Sequence, residues 1–125
     1  MILVVAGLHE RPFDRLIRAI VPLAGEEEIV VQRGSSRVEV PGASTHASLS
    51  SERLVRAYER ARVVVGQASP GVLFDALDAQ KCPILVPRRA SLGEHVDDHQ
   101  VAFARFVGDR AVIVDDVSRL SLIHI

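Results

Sequence analysis

The densest chemistry in the chain lies in Pro83-Ile84-Leu85-Val86-Pro87-Arg88-Arg89-Ala90-Ser91-Leu92-Gly93-Glu94-His95-Val96-Asp97-Asp98-His99-Gln100. It reads as a short buried strand ending at Pro87, a polar basic loop, and a helix opening at Glu94. The first helical turns would crowd Glu94, His95, Asp98 and His99 together, with Gln100 next. A packed core does not need that density of hydrogen-bonding groups at a strand's carboxyl end, and in open parallel α/β sheets that end is where ligands bind. Arg88 and Arg89 either clamp a diphosphate, whose oxygens match guanidinium donors, or serve as solvent charges. His95 and His99, four apart, have a spacing that suits a divalent metal. No third strong ligand is evident, however, and Glu94 precedes the first histidine, so the zinc-protease order fails and no metal is expected.

Two further segments face the same rim. Gly66-Gln67-Ala68-Ser69-Pro70-Gly71 joins a buried strand to a helix start. The N–H groups of Gly71 and Val72 would point along the positive end of the helix dipole, and glycine lets a phosphate approach the backbone. Such a turn can equally bind nothing. Asp75, within two turns of that start, can accept both hydroxyls of a ribose or simply favour the dipole. His9, in Gly7-Leu8-His9-Glu10-Arg11-Pro12-Phe13-Asp14, follows the first strand, and the alternative reading is a solvated loop histidine. Neither a Gly-x-Ser-x-Gly elbow nor a Walker loop occurs.

The elements that must position these residues follow from periodicity. Ile2 to Gly7 is a continuous apolar run, the pattern of a strand buried on both faces. Pro12 suits a first helical position, with Phe13, Leu16, Ile17, Ile20 and Val21 at helical spacing behind it. A second strand is centred on Ile29, Val30 and Val31. Val38 and Val40 alternate as a minor strand, and Ser44 to Ser51 is a small-polar loop delivering a serine N-cap to a helix bearing Leu54, Val55, Tyr58 and Ala61. Val63 to Gly66 is a strand, Ser69-Pro70 caps a helix running to about Ala79, Ile84 to Val86 is a strand, the Glu94 helix carries Val96, Phe103 and Val107, and Ala111 to Val114 is the last strand. This alternation predicts an α/β fold: a Rossmann-like parallel sheet with helices on both faces.

Composition bounds the function. A chain of 125 residues is one domain, too short for two doubly wound halves. Its 48% hydrophobic and 25% charged residues are those of a soluble globular protein. The net charge of −1 gives no footprint for nucleic acid. No apolar run reaches the ~20 residues of a membrane span, and the N-terminal run lacks the basic flank of a secretory signal. The single cysteine, Cys82, excludes an intrachain disulfide, suits a reducing cytosol, and reads as an inert core thiol beside a buried strand.

Leu120-Ser121-Leu122-Ile123-His124-Ile125 matches an in-frame translation of a transposase end sequence used in library preparation. These residues, 120–125, are accordingly expected to be adapter read-through, leaving a domain of 1–119 interrupted as a final helix starts near Asp116. The alternative is an ordinary edge strand.

Val86-Pro87-Arg88-Arg89 followed by Gly93-Glu94-His95-Val96-Asp97-Asp98-His99-Gln100 resembles the C-terminal domain of the family 28 glycosyltransferases, and in particular its small stand-alone versions. Those are catalytic subunits of two-part glycosyltransferases in bacterial exopolysaccharide synthesis, related to the soluble subunit of the eukaryotic UDP-GlcNAc transferase that makes lipid-linked oligosaccharide. The opening Gly7-Leu8-His9-Glu10-Arg11-Pro12-Phe13-Asp14-Arg15-Leu16 is similar to that subgroup's start, and Gly71 through Asp75-Ala76-Leu77 resembles its donor-binding helix. The resemblance implies the donor-binding half of a GT-B type enzyme. It would transfer a hexose, N-acetylhexosamine or hexuronic acid from a UDP-sugar to a lipid-linked acceptor, without a cofactor. A membrane-associated, acceptor-binding partner subunit would hold this cytoplasmic chain at the inner face of the membrane.

Carried onto this chain, the resemblance places the diphosphate at Gly71 and its neighbours Ser69 and Val72, with Gly7 and Arg88 alongside. Asp75 would take the ribose, and Glu94, His95, His99 and Gln100 would line the donor sugar. His9 is the candidate general base. The chain departs from the family at Gln67-Ala68-Ser69, where His-Gly-Gly or His-Ala-Gly is usual, and at Asp75, one methylene shorter than the usual glutamate. Two other classes fit these residues: a non-catalytic nucleotide-sugar-binding or assembly module, which the altered turn would suit, and half of a nucleotide-sugar epimerase.

Overall fold

Ile2 and Val4 point to one side of the central strand and Leu3 and Val5 to the other, and each pair heads a separate apolar core. The computed structural model describes residues 1–122. Its six strands are β1 (Ile2–Val5), β2 (Ile29–Gln32), β3 (Ser44–His46), β4 (Val63–Gln67), β5 (Ile84–Val86) and β6 (Val112–Ile113). All neighbours pair in parallel, in the order β3-β2-β1-β4-β5-β6. Parallel neighbours need crossovers. The helices that supply them are α1 (Asp14–Ile20), α2 (Ser51–Arg60), α3 (Pro70–Asp78) and α4 (His99–Ala104).

On one face Phe13 and the α1 stripe Leu16, Ile17 and Ile20 cover Ile2, Val4, Ile29 and Val31. On the other, Ala57 and Tyr58 of α2 and Val72, Leu73 and Ala76 of α3 cover Leu3, Val5, Val64 and Leu85. Each such fully buried aliphatic side chain stabilises the fold by roughly 1.5–3 kcal/mol. Ser50 caps α2 by accepting from Arg53 N–H, and Ser69 caps α3 by accepting from Val72 N–H. The expected doubly covered parallel sheet is therefore the fold.

Several local expectations fail. Val38 and Val40 form no strand; the edge strand is the polar Ser44–His46, in register with Val30, Val31 and Gln32, while Val40 is buried in the core instead. Backbone pairing overrides the apolar alternation there, and a short polar edge resists further strand addition. The helix expected from Glu94 begins only at His99. Gly93 is left-handed (φ +72), and the Asp97 and Asp98 carboxylates accept from the backbone N–H groups of His99 and Ala90. Aspartate thereby competes with helix formation. Helix α1 starts at Asp14 rather than Pro12, and α4 ends before Val107, which is nonetheless buried. Cys82 is exposed, not a core thiol, because β5 begins two residues later.

Near the end of the chain a 3-10 turn spans Val117–Leu122, in place of the start of a final helix, and lies against α1. Leu120, the first residue of the suspected read-through, is fully buried beside Ile17 and Ile20 in the same core. Residues 123–125 of that segment, and the side chains at 121 and 122, lie outside the described residues.

Candidate active site

The strand order reverses between β1 and β4: from β1 the sheet grows through β2 to β3, and from β4 through β5 to β6. That is the topological switch point, where the loops leaving adjacent carboxyl ends diverge and open a crevice. The loop after β1 carries Gly7 and His9, the loop after β4 carries Gln67 and Ser69, and the loop after β5 brings Arg88 to His99 alongside. The sequence-expected residues thus converge on one rim, with Asp75 the exception.

Arg88 organises the crevice from beneath. Its side chain is 1% exposed. Nη2–H donates to Ala6 O (2.5 Å), Nη1–H to Arg11 O (2.8 Å) and Glu94 O (2.9 Å), and Nε–H to Gln67 Oε1 (2.7 Å), with the guanidinium over the Phe13 ring at 4.7 Å. Burial pulls its pKa down to about 10, against the raising influence of Glu94, so it remains charged at neutral pH. With these donors committed to protein acceptors, Arg88 positions three loops rather than presenting itself to a ligand. It is neither the phosphate clamp nor the solvent charge that the sequence suggested.

Glu94 and Gln100 are likewise turned inward, at 5% and 7% exposure. Arg15 donates to both Glu94 oxygens (2.9 Å each) and to Pro87 O (2.9 Å), and Arg89 N–H donates to Glu94 Oε1 (3.0 Å). Gln100 Oε1 accepts from Arg88 N–H (2.9 Å), while its amide donates to Gln67 Oε1 (3.1 Å). Gln67 joins this network to the α3 cap through a longer contact from its amide to Ser69 Oγ (3.4 Å). Gly7 is left-handed (φ +85), and a Cβ there would collide with the Gln67 side chain. Glycine at this position is what lets the first loop pass over that amide.

The outward-facing groups are different residues of the same segments. The His9 and His95 rings lie 4.5 Å apart, tilted by 32°. His9 Nδ1 accepts from Arg11 N–H (3.0 Å), and Arg11 Nη1–H donates to His95 O (2.8 Å), tying the first and last loops together. Burial, then the neighbouring His95 and Arg88 charges, lower the His9 pKa. Asp97 reaches His95 Nδ1 at 3.1 Å and His99 Nδ1 at 2.6 Å. Hydrogen bonds from the His99 backbone and side chain hold the Asp97 carboxyl below its usual range.

At the start of α3, Val72 N–H is taken by Ser69 Oγ (3.3 Å), so of the two donors expected for a phosphate only Gly71 N–H has no protein acceptor among the described residues. Asp75 lies further along α3, in a cavity of about 160 Å³ with Tyr58, Glu59 and Asp78. Partial burial, then Asp78, raise its pKa, and the buried Tyr58 hydroxyl beside it has no hydrogen-bond partner. Among the described residues no histidine, cysteine and carboxylate cluster could hold a metal ion. A groove of about 780 Å³ lies elsewhere, at the β2–β3 edge between Arg33, Arg37 and Thr45. Its lining offers no imidazole or helix start, and the switch-point rim is the better site on chemistry.

Three supporting residues escaped the sequence reading. Gln67 stood out only as a departure from a family pattern. Arg15 sits on a helix whose amphipathic pattern gives no hint of an ion pair 79 positions away. Asp97 was visible in sequence, but its role depends on the irregular backbone that replaces the expected helix.

A six-stranded parallel sheet with a switch-point crevice defines a Rossmann-like α/β domain, the C-terminal half of a GT-B type fold. The family model for the glycosyltransferase family 28 C-terminal domain matches residues 1–124, and the chain belongs to that family. Among solved structures it is similar to one described as the glycotransferase of kitacinnamycin, with a TM-score of 0.66 and 16% identity. That alignment covers 97% of this chain but 33% of the other, so this chain spans about a third of that protein's length. No curated protein matches the sequence significantly.

Proposed function

We propose that this chain is the donor-binding catalytic subunit of a UDP-sugar-dependent glycosyltransferase. It would transfer a hexose, N-acetylhexosamine or hexuronic acid to a lipid-linked acceptor in polysaccharide synthesis. The observation that carries the reading is the rim itself: an uncapped Gly71 N–H at a helix start and an imidazole pair meet at the switch point of a family 28 domain. A helix start stabilises the charge of a leaving diphosphate without a metal. Gly7, Ser69, Gly71 and Val72 would surround the diphosphate, Asp75 the ribose, and His95 and His99 the sugar, with Glu94, Gln100 and Arg88 holding the loops.

The acceptor would be presented by a membrane-associated partner subunit at the inner face of the membrane. Among the described residues no helix is long and apolar enough to cross a membrane. Residues 1–119 would form the domain, with 120–125 foreign to the gene. One observation favours the non-catalytic binding module instead: the Ser69 cap occupies a backbone donor at the phosphate turn.

Saturation-transfer NMR with UDP and UDP-sugars tests the proposal. Binding of UDP, competed by UDP-sugars, is expected, and absence of binding by a folded chain would overturn it. Turnover by the reconstituted pair that Asp75→Ala abolishes without unfolding would exclude the binding-module reading.

A further inference from the structure

We infer that Tyr58 is a positioning residue for Asp75: its buried hydroxyl donates to the Asp75 carboxylate once a nucleoside is seated on α3. This deepens the donor-binding reading above and rests on it for the ligand.

Tyr58 lies on the inner face of α2, 2% exposed, in the core that α2 and α3 share. Packing accounts for the ring but not for the hydroxyl, since a phenylalanine ring fills nearly the same space. The hydroxyl oxygen is closed off from solvent and has no hydrogen-bond partner among the described residues. Such a group costs stability for as long as it stays unpaired. A partner that moves into place with a ligand accounts for it.

Asp75 is the residue placed to be that partner. It lines one cavity of about 160 Å³ with Tyr58, between α2 and α3, together with Glu59 and Asp78. Of these three carboxylates, Asp75 is the one whose charge acts on the phenol. Burial first, then that charge, raise the Tyr58 pKa, so the hydroxyl keeps its proton and is a donor. Glu59 follows Tyr58 directly in sequence, and adjacent positions on a helix do not face each other. The Asp75 carboxylate has no hydrogen-bond or ion-pair partner among the described residues. A side-chain rotation therefore brings it to the hydroxyl without breaking a contact.

The cavity also lies on the path of the ligand. Asp75 stands four residues beyond Gly71, whose N–H is free at the start of α3. Positions i and i+4 share a helix face and are about 6 Å apart along the axis. A diphosphate at Gly71 would direct its ribose along α3 toward Asp75. One carboxylate oxygen would then accept from the ribose and the other from Tyr58. In the free chain partial burial, then Asp78, raise the Asp75 pKa. A hydroxyl donor opposes that shift and favours the charged form, the stronger acceptor for a diol.

Tyr58→Phe removes the hydroxyl and little else, and its two expected effects have opposite signs. The melting temperature of the free 125-residue chain should stay the same or rise, because an unpaired donor is lost. By calorimetry the dissociation constant for UDP should rise about tenfold, while that for inorganic pyrophosphate, which has no ribose, should change less than about twofold. In an Asp75→Ala background, Tyr58→Phe should have no further effect on UDP binding. A lower melting temperature would mean that the hydroxyl already has a partner in the free chain, and it overturns the inference whether or not UDP binds. An unchanged constant for UDP, an equal loss for pyrophosphate, or a loss that persists in the Asp75→Ala background overturns it as well. A wild-type chain that binds no UDP would instead remove the donor-binding reading, and with it the ligand that Tyr58 serves.

Discussion

The segment from Arg88 to Gln100 divides into two populations that sequence inspection treats as one. Arg88, Glu94 and Gln100 point into the protein, where Arg88 satisfies carbonyls of the first loop and Glu94 and Gln100 accept from backbone N–H groups of their own segment. His95, Asp97 and His99 point outward along the crevice. The inner group fixes where the loops go, and the outer group lines the crevice with imidazole and carboxylate. A polar residue near a ligand site can therefore be indispensable without touching a ligand, and the two populations should fail in different ways when mutated.

The largest effect should come from Arg88→Met. Removing the guanidinium strands the carbonyls of Ala6, Arg11 and Glu94 and leaves Gln67 Oε1 with the Gln100 amide alone, and breaking a buried charged network costs about 3–5 kcal/mol. Urea denaturation should show that loss; a change below about 1 kcal/mol would mean that the network is not what holds the rim. Arg88→Lys should recover little, since an ammonium cannot reproduce the planar fork.

Glu94→Gln should be next, at about 2 kcal/mol, because Arg15 keeps Pro87 O and the Asp115 carbonyl but loses its charged partner. In contrast, the exposed His99→Ala should alter stability by no more than about 0.5 kcal/mol, and His95→Asn, at a ring packed on His9, by less than Glu94→Gln. Their cost should appear in turnover or sugar discrimination. If His95→Asn instead unfolds the chain, the division between inner and outer groups is wrong.

The smallest effect is expected from Glu27, remote from both groups. The Arg62 hydrogen bond, then the N-terminal ammonium, pull its carboxyl down to about 2. A carboxylate whose folded pKa lies below the unfolded value contributes stability that is complete above the unfolded pKa and is lost as pH falls through the folded one. The window is thus from about pH 4.5 down to about 2, and Glu27→Gln should flatten the acid limb of a stability profile there. An unchanged limb would place its origin in other groups.

The sheet was legible because β1, β4 and β5 are unbroken apolar runs, and because Ser50 and Ser69-Pro70 mark helix starts with local chemistry. The convergence of His9, Ser69 and His95 followed from counting strands, since carboxyl ends share a rim. What was not legible depended on long-range pairing. Ser44–His46 becomes a strand only because β2 offers an edge, and Glu94 turns inward only because Arg15 waits across 79 positions. The irregular backbone from Gly93 to Asp98 hid the most, since a helix there would have put different side chains on the crevice side.

Residue-resolved ¹⁵N spectra recorded during a titration with UDP test the central claim most directly. The account predicts that shifts concentrate on the amides of Gly7 to Arg11, Ser69 to Val72 and Gly93 to His99, the three loops that meet at the β1–β4 switch point. No shifts at saturating UDP, or shifts confined to the groove between Arg33 and Thr45, would contradict it.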